Sequence, residues 1–316
     1  MTEKYLIQIG ESVHASIPKS GAAMKDLVAQ GKNAYSEPSE PLDYLISLIT
    51  DQVANGADYI AINVDAFGEQ DPQLAVDLMR EYVRLVKHHG SAVPACIDSS
   101  DNNVLKAGLD EWYQGAPSDI AQPLVNSVKT TTIDEILPLR QQHSFKVVGM
   151  LVDEEGATDE ATAQTIYNIA RRIFDAAMKY GFQPDDIFFD TTTYPLAIDM
   201  PLTPDTPSFT YRAFQAIKMI KSDPDMKTVH CSLGISNCVK DLPARKIGIC
   251  RAYVERAREY GLDAGIVNVL HHYGEKPADP ELLALVDAFA LQDGSAEAGM
   301  TAMTVMGEFC RANKKT

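Results

Sequence analysis

Short apolar runs along this 316-residue chain stop, again and again, on a carboxylate or a carboxamide. Residues 5–9 lead to Gly10-Glu11, residues 58–63 to Asn63 and Asp65, residues 93–98 to Asp98, and residues 123–127 contain Asn126. Residues 146–152 run out through Asp153, 186–190 end in Asp190, 227–233 lead to Asn237 in "GISN", and 264–268 end in Asn268. No Lys placed for Schiff-base chemistry stands among them, and no close His/Cys/Asp arrangement. No metal ligand set is expected either. The pairs His88-His89 and His271-His272 are adjacent, and adjacent helical side chains point apart.

Carboxylates accept hydrogen bonds, whereas carboxamides both donate and accept. A ring of the two suits a flat heterocycle with an amino-pyrimidinone edge, a pterin or a guanine-like base, better than a sugar or a phosphate. One carboxylate can take the exocyclic amine and the adjacent ring N–H together. Singly, each residue also has an ordinary role. Asp98 could cap a helix near Asn102, Asn126 could hold a turn, and Asp190 could open a loop. Those roles leave unexplained why so many ends share one chemistry.

The elements that would position them follow a repeated grammar of helix, glycine, strand, around Gly56, Gly90, Gly181 and Gly261. Glycine just past a helix end permits the left-handed conformation that closes the last turn. Asp71-Pro72 reads as an N-cap with Pro at the first helical position, followed by Leu74, Leu78, Met79, Tyr82, Leu85 and Val86 at helical spacing. Thr158 is expected to cap the next long helix, with Asp159 and Glu160 in its first turn. Pro243 is expected to open the helix before Gly261. Eight apolar runs separated by helix-length segments predict an α/β chain with parallel strands, closed as a single (β/α)8 barrel with a short C-terminal helical extension. Residues 1–279 would form the barrel core, and 280–316 its last helix and the extension. The Pro-rich stretch 193–208 reads as a long loop between strand and helix. The open nucleotide-binding sheets lose their support, because neither GxGxxG nor a Gly-Lys-Ser/Thr loop occurs.

A net charge of −16 argues against nucleic acid as a partner, since phosphates demand clustered Lys and Arg. There is no apolar stretch of membrane-spanning length and no signal-peptide pattern at the start, and the five cysteines form no Cys-x-x-Cys. A reduced, cytoplasmic setting is expected.

The runs "IQIGES" (7–12), "ADYIAINVDAF" (57–67), "ACIDSSDNNVLKAGL" (95–109), "PLVNSVK" (123–129), "VVGMLVDEEG" (147–156), "DDIFFDTTTYPL" (185–196) and "GISN" (234–237) occur in one order. Together they resemble the pterin-binding methyltransferases that use methyltetrahydrofolate and a corrinoid protein, relatives of dihydropteroate synthase. The resemblance spans roughly residues 5–268. It implies that Asp98, Asn126 and Asp190 hydrogen-bond the pterin ring and that Asn237 lies beside the nitrogen carrying the methyl group. Glu11, Asn63, Asp65 and Asp153 would form a second tier, and Arg245 would meet the folate tail unless it is merely a surface Arg. The resemblance also implies a homodimer, and cobalamin carried by a partner, because the corrinoid signature Asp-x-His-x-x-Gly is absent. The sequence departs from the family pattern where His14 replaces an expected Asn, where residues 111–122 look inserted, and where "HCSL" (230–233) lengthens the approach to "GISN". Two rival readings remain. One is a dihydropteroate synthase, although Lys240 and Arg245 do not form its Ser-x-Arg-x-Arg pattern. The other is a non-catalytic folate-binding subunit.

Overall fold

The computed structural model describes residues 6–152, 162–201 and 203–314. Its strands are β1 (Ile7–His14), β2 (Tyr59–Asn63), β3 (Ala95–Asp98), β4 (Leu124–Val128), β5 (Lys146–Met150), β6 (Ile187–Asp190), β7 (His230–Ser232) and β8 (Ala264–Val267). Neighbours pair in parallel in the order β7-β6-β5-β4-β3-β2-β1-β8. The ends of this sheet meet where Gly234 bridges to Ile266 and the Ile266 N–H donates to the Leu233 carbonyl at 2.9 Å. The fold is an α/β TIM barrel.

Apolar residues fill two spaces. Inside the barrel, Ile9, Tyr59, Ala61, Cys96, Leu124, Val148, Phe188 and Ala264 pack into a plug. Outside it, a larger cluster joins the sheet to the surrounding helices. The strands are therefore buried on both faces, which is why they read as continuous apolar runs and not as alternating ones.

The helices start and stop for local reasons, some of them not those expected. Asp71 caps Pro72–His89 as its side chain accepts from the Gln73 and Leu74 N–H groups. Ahead of Asn102–Tyr113 the cap is Asp101, not Asp98, so Asp98 is free for another role. The helix Ala163–Lys179 is capped by Thr162, whose hydroxyl accepts from the Thr165 N–H, whereas Thr158, Asp159 and Glu160 lie outside the described residues. The helix before Gly261 begins at Lys246 and not at Pro243. Gly56, Gly181 and Gly261 take positive φ as expected, but Gly90 does not; there the turn is made by Ser91 and Ala92, both at positive φ. Of the expected loop, residues 193–201 and 203–208 are described and run outside the main helices apart from a short turn at Leu196–Ile198, and buried Asp199 anchors them by accepting from the Phe209 and Thr210 N–H groups at 2.6 and 3.0 Å. Of "HCSL", His230–Ser232 is β7 itself. Two helices, Pro280–Ala290 and Ala296–Ala312, follow β8. No helix among the described residues is long and apolar enough to cross a membrane.

Candidate active site

Register across the sheet sets the first row of the site. His14 pairs with Asn63, Asn63 with Asp98, and Asp98 with Asn126, so these residues stand side by side on β1 to β4. Residues in register on parallel strands turn the same way. On the other side Met150, Asp190 and Ser232 are in register on β5 to β7. From these rows His14, Asp98, Asn126, Met150 and Asp190 line a cavity of about 510 Å³ at the C-terminal end of the strands. Asp98, Asn126, Asp190 and Asn237 all line it, as does Glu11. Ala61, Met150 and Ile266 also line it, above the apolar plug.

Asn237 arrives differently. Beyond β7 the chain enters a short turn, Ile235–Val239, that holds Ser236 and Asn237 against the cavity. A Cβ on Gly234 would lie 3.0 Å from the Asn237 Nδ2, so glycine there lets the carboxamide fold back over its own backbone. The Ser236 hydroxyl donates to Glu11 Oε2 at 3.2 Å and ties this turn to β1.

The acids of the cavity hold their protons unusually well. Burial pushes the Asp98 carboxyl up to about 7; a hydrogen bond from Asn63 opposes this, and the charges of Asp65, Asp190 and Glu11 add to it. Burial also raises Glu11 to about 7 against the Ser236 hydrogen bond, and Asp190 to about 6 against the Thr192 N–H. Clustered carboxyls with raised affinity for protons are characteristic of functional sites. The hydroxyls of Thr192 and Thr193, both lining the cavity, are buried without a hydrogen-bond partner. Buried polar groups without partners are uncommon, and here they face a space that a polar ligand would fill.

The second-tier residues behave unequally. Asn63 lies behind Asp98 and donates to its Oδ2 at 3.1 Å. Asp65 does not line the cavity. It accepts from the Ser99 hydroxyl (2.5 Å), the Ser100 N–H (2.8 Å) and the Ser100 hydroxyl (2.8 Å), fastening the turn after Asp98. Asp153 lies outside the described residues. Arg245 does not line the cavity either; its guanidinium pairs with Asp279 at 2.6 Å and Glu281 at 2.7 Å. The segment 111–122 works outside the barrel, where Glu111 takes two bonds from Arg84 at 2.9 Å each and the Trp112 indole N–H donates to the Ala121 carbonyl. Sequence reasoning missed Thr192, Thr193 and Ser236 as cavity residues. The only signal available was their position just after a strand-end Asp or inside "GISN".

Among the described residues no Lys or Arg lines the cavity, and there is no cluster of His, Cys, Asp and Glu suited to a metal. Such a site can accept several N–H donors, supply two reversible carboxamides, and hold protons on carboxyls near neutral pH.

Known proteins extend this picture. The chain is 28% identical over 251 residues to a methionine synthase of Mycobacterium tuberculosis, across 76% of this chain but only 20% of that protein. It is 24% identical over 269 residues to a methylcorrinoid:tetrahydrofolate methyltransferase of Eubacterium limosum, covering 83% and 85% of the two chains. In fold it is similar to a dihydropteroate synthase of Coxiella burnetii solved with pteroic acid, at a TM-score of 0.56 and 12% identity over 98% of this chain and 94% of that one. A dihydropteroate synthase of Xanthomonas albilineans solved with 7,8-dihydropteroate gives 0.51 and 14% over 100% and 97%. The sequence pattern of the family described as "Pterin binding enzyme" matches residues 36–268, most of the chain and seven of the eight strands, and the protein belongs to that family.

Proposed function

We propose that the protein moves the N5-methyl group between methyltetrahydrofolate and the cobalt of a corrinoid carried by a partner protein. The observation that carries this is the convergence of Asp98, Asn126, Asp190 and Asn237 on one cavity that no Lys or Arg among the described residues lines. Asp98 and Asp190 accept from the amino-pyrimidinone edge of the pterin, and Asn126 donates and accepts beside them. The low-valent cobalt of the partner supplies a strong nucleophile, because a tertiary amine is otherwise a very poor leaving group. Transfer still requires N5 to be protonated, so that the electron pair of the broken N–C bond stays on a neutral amine. Asn237 serves both states of that nitrogen: its NH₂ donates to the free lone pair, and its carbonyl accepts from the N–H once the proton has arrived. The proton comes from solvent by way of the cavity acids.

Dihydropteroate synthesis is the weaker reading. A diphosphate-bearing pterin needs cations at the site, whereas Arg245 is held by Asp279 and Glu281 and Lys240 is not among the lining residues. A non-catalytic folate-binding role differs from the proposal in turnover alone. The test is spectroscopic: Co(I) cobalamin mixed with methyltetrahydrofolate and enzyme should convert to the methylated form. Asn237→Ala should lower that rate by about 10²-fold or more, as loss of one transition-state donor does, with folate affinity nearly unchanged. Unchanged turnover in the variant removes Asn237 from the chemistry, and no conversion by wild-type enzyme removes the reaction.

A further inference from the structure

Two thiols meet behind the turn that carries Asn237. Cys238 follows Asn237 within Ile235–Val239, and Cys250 stands near the start of the helix Lys246–Tyr260. Their Sγ atoms lie 3.9 Å apart, and the Cys250 thiol also reaches the Ile235 carbonyl at 3.8 Å. The other cysteines are placed apart: Cys96 on β3, Cys231 on β7, and Cys310 against Met306 in the last helix.

The surroundings distinguish the two members of the pair. Cys250 keeps 3% exposure and Cys238 none. Hydrogen bonds from Cys238 and Tyr273 hold the Cys250 thiol below its ordinary value against burial, whereas burial drives the Cys238 thiol well above it. The Tyr273 hydroxyl lies 2.8 Å from His271 Nδ1, and burial keeps that imidazole uncharged at neutral pH, able to take up a proton. Cys250 is thus set to ionise and attack first, with Cys238 as the thiol that follows.

We propose that Cys238 and Cys250 form a peroxide-sensitive pair that closes to a disulfide and switches the site off. The Cys250 thiolate attacks one oxygen of hydrogen peroxide and becomes a sulfenic acid as the O–O bond breaks. The hydroxide released takes up the proton that the thiol gave away and leaves as water. The Cys238 thiol then attacks the same sulfur, the S–O bond breaks, and the second oxygen leaves as water with the Cys238 proton. Two thiols lose two electrons, and the peroxide gains them. Sulfurs in a disulfide lie about 2 Å apart, so the pair must draw together by about 2 Å. A packed interior gives the side chains little room to do this by rotation alone. The helix is buried along Ile249, Ala252, Tyr253, Val254 and Ala257, so the short turn takes most of the movement, and Asn237 with it. The switch rests on the methyl-transfer reading, in which low-valent cobalt serves only in reducing surroundings; the bridge itself does not.

Wild type, Cys238→Ala and Cys250→Ala, treated with hydrogen peroxide and then freed of it, test the pair by mass and by rate. Peptide mapping of alkylated wild type should show the Cys238 and Cys250 peptides joined, with the chain lighter by two hydrogens. Methyl transfer is read from methylcobalamin to tetrahydrofolate, the direction that needs no strong reductant to prepare Co(I). Its rate should fall about 10- to 100-fold in oxidised wild type, as for a reacting group displaced by about 1 Å, and return with dithiothreitol. Both alanine variants should keep their rates through the same treatment. Peroxide that leaves both thiols free, or that oxidises Cys250 without a bridge, overturns the pair. A bridge that leaves the rate unchanged overturns the switch, as does an equal loss of rate in the alanine variants. A reduced wild type that moves no methyl group defeats the methyl-transfer reading and the switch with it, while the bridge is still judged by mass.

Discussion

At the scale of single residues, the energetic tension lies in Asp98, Glu11 and Asp190, whose carboxyls stand at about 7, about 7 and about 6. A carboxyl with a folded pKa above its unfolded one favours the folded state fully below the unfolded value. That contribution is lost as pH rises through the folded value. Wild-type stability should therefore fall between about pH 4 and 7, the window bounded by the ordinary carboxyl pKa and the raised ones. Asp98→Asn removes one of these raised carboxyls, so its melting temperature should exceed that of wild type at pH 8 and converge with it near pH 5. The ligand dependence runs the other way. Asp98 must be ionised to accept two N–H groups, so pterin affinity should rise about tenfold per pH unit up to pH 7 and then level. Titration calorimetry between pH 5.5 and 8.5 checks this, and a flat profile would mean that Asp98 does not meet the ring as a carboxylate.

At the scale of elements, position is set by short connections. The Asn102–Tyr113 helix lies close on β3, where a Cβ on Gly108 would come within 2.7 Å of the Ile97 side chain, next to Asp98. Asp65 then holds the intervening turn by three hydrogen bonds. Across the cavity, the "GISN" turn depends on Gly234, because any side chain there crowds the Asn237 carboxamide. Gly234→Ala should lower methyl transfer between about 10- and 100-fold, in keeping with displacement of a reacting group by a fraction of an ångström. Folate affinity should change little, since Asp98, Asn126 and Asp190 stay in place. Steady-state kinetics beside calorimetry separate the two effects, and a parallel loss of both would show that the turn supports binding and not chemistry.

For the whole molecule, the thinnest part of the barrel is the seam between β7 and β8, and it is fastened at the end opposite the cavity. Asp263 accepts there from Lys221 Nζ at 2.7 Å and the Cys231 N–H at 2.8 Å, and lies 3.2 Å from His230 Nδ1. His230 Nε2 also meets Asp185, which pairs with Lys146 at 3.0 Å, so the starts of β5 to β8 share one polar network. Burial alone would raise the Asp263 carboxyl, but the His230 bond and the Lys221 charge reverse this and hold it below its usual value. Its contribution is therefore present above the ordinary carboxyl range and lost as pH falls through the depressed value. Asp263→Ala should cost about 2 kcal/mol in urea unfolding at pH 7, less than a fully buried pair because the side chain keeps some exposure. Ligand affinity in the folded variant should be unaffected, since this network is remote from the cavity; an equal stability of variant and wild type would show the seam to be held by its backbone alone.

The barrel was legible in the sequence because strand and helix leave periodic and terminal signals within a few residues: apolar runs, the Asp71-Pro72 cap, glycines past helix ends. The cavity acids and amides were legible for a related reason, since the C-terminal end of each strand has a fixed place in this architecture. Local signals failed where a neighbour could do the same job, as with Asp101 in place of Asp98, Thr162 at the start of its helix, and Ser91-Ala92 in place of Gly90. Only the tertiary structure decided which side chains meet across long sequence separations. The β1 irregularity brings His14 into line with Asn63, Ser236 reaches Glu11, and Arg245 is claimed by Asp279 and Glu281. The physical reason is register: a one-residue slip turns a strand's side chains to the opposite face, and no run of residues records which slip its partner strand imposes.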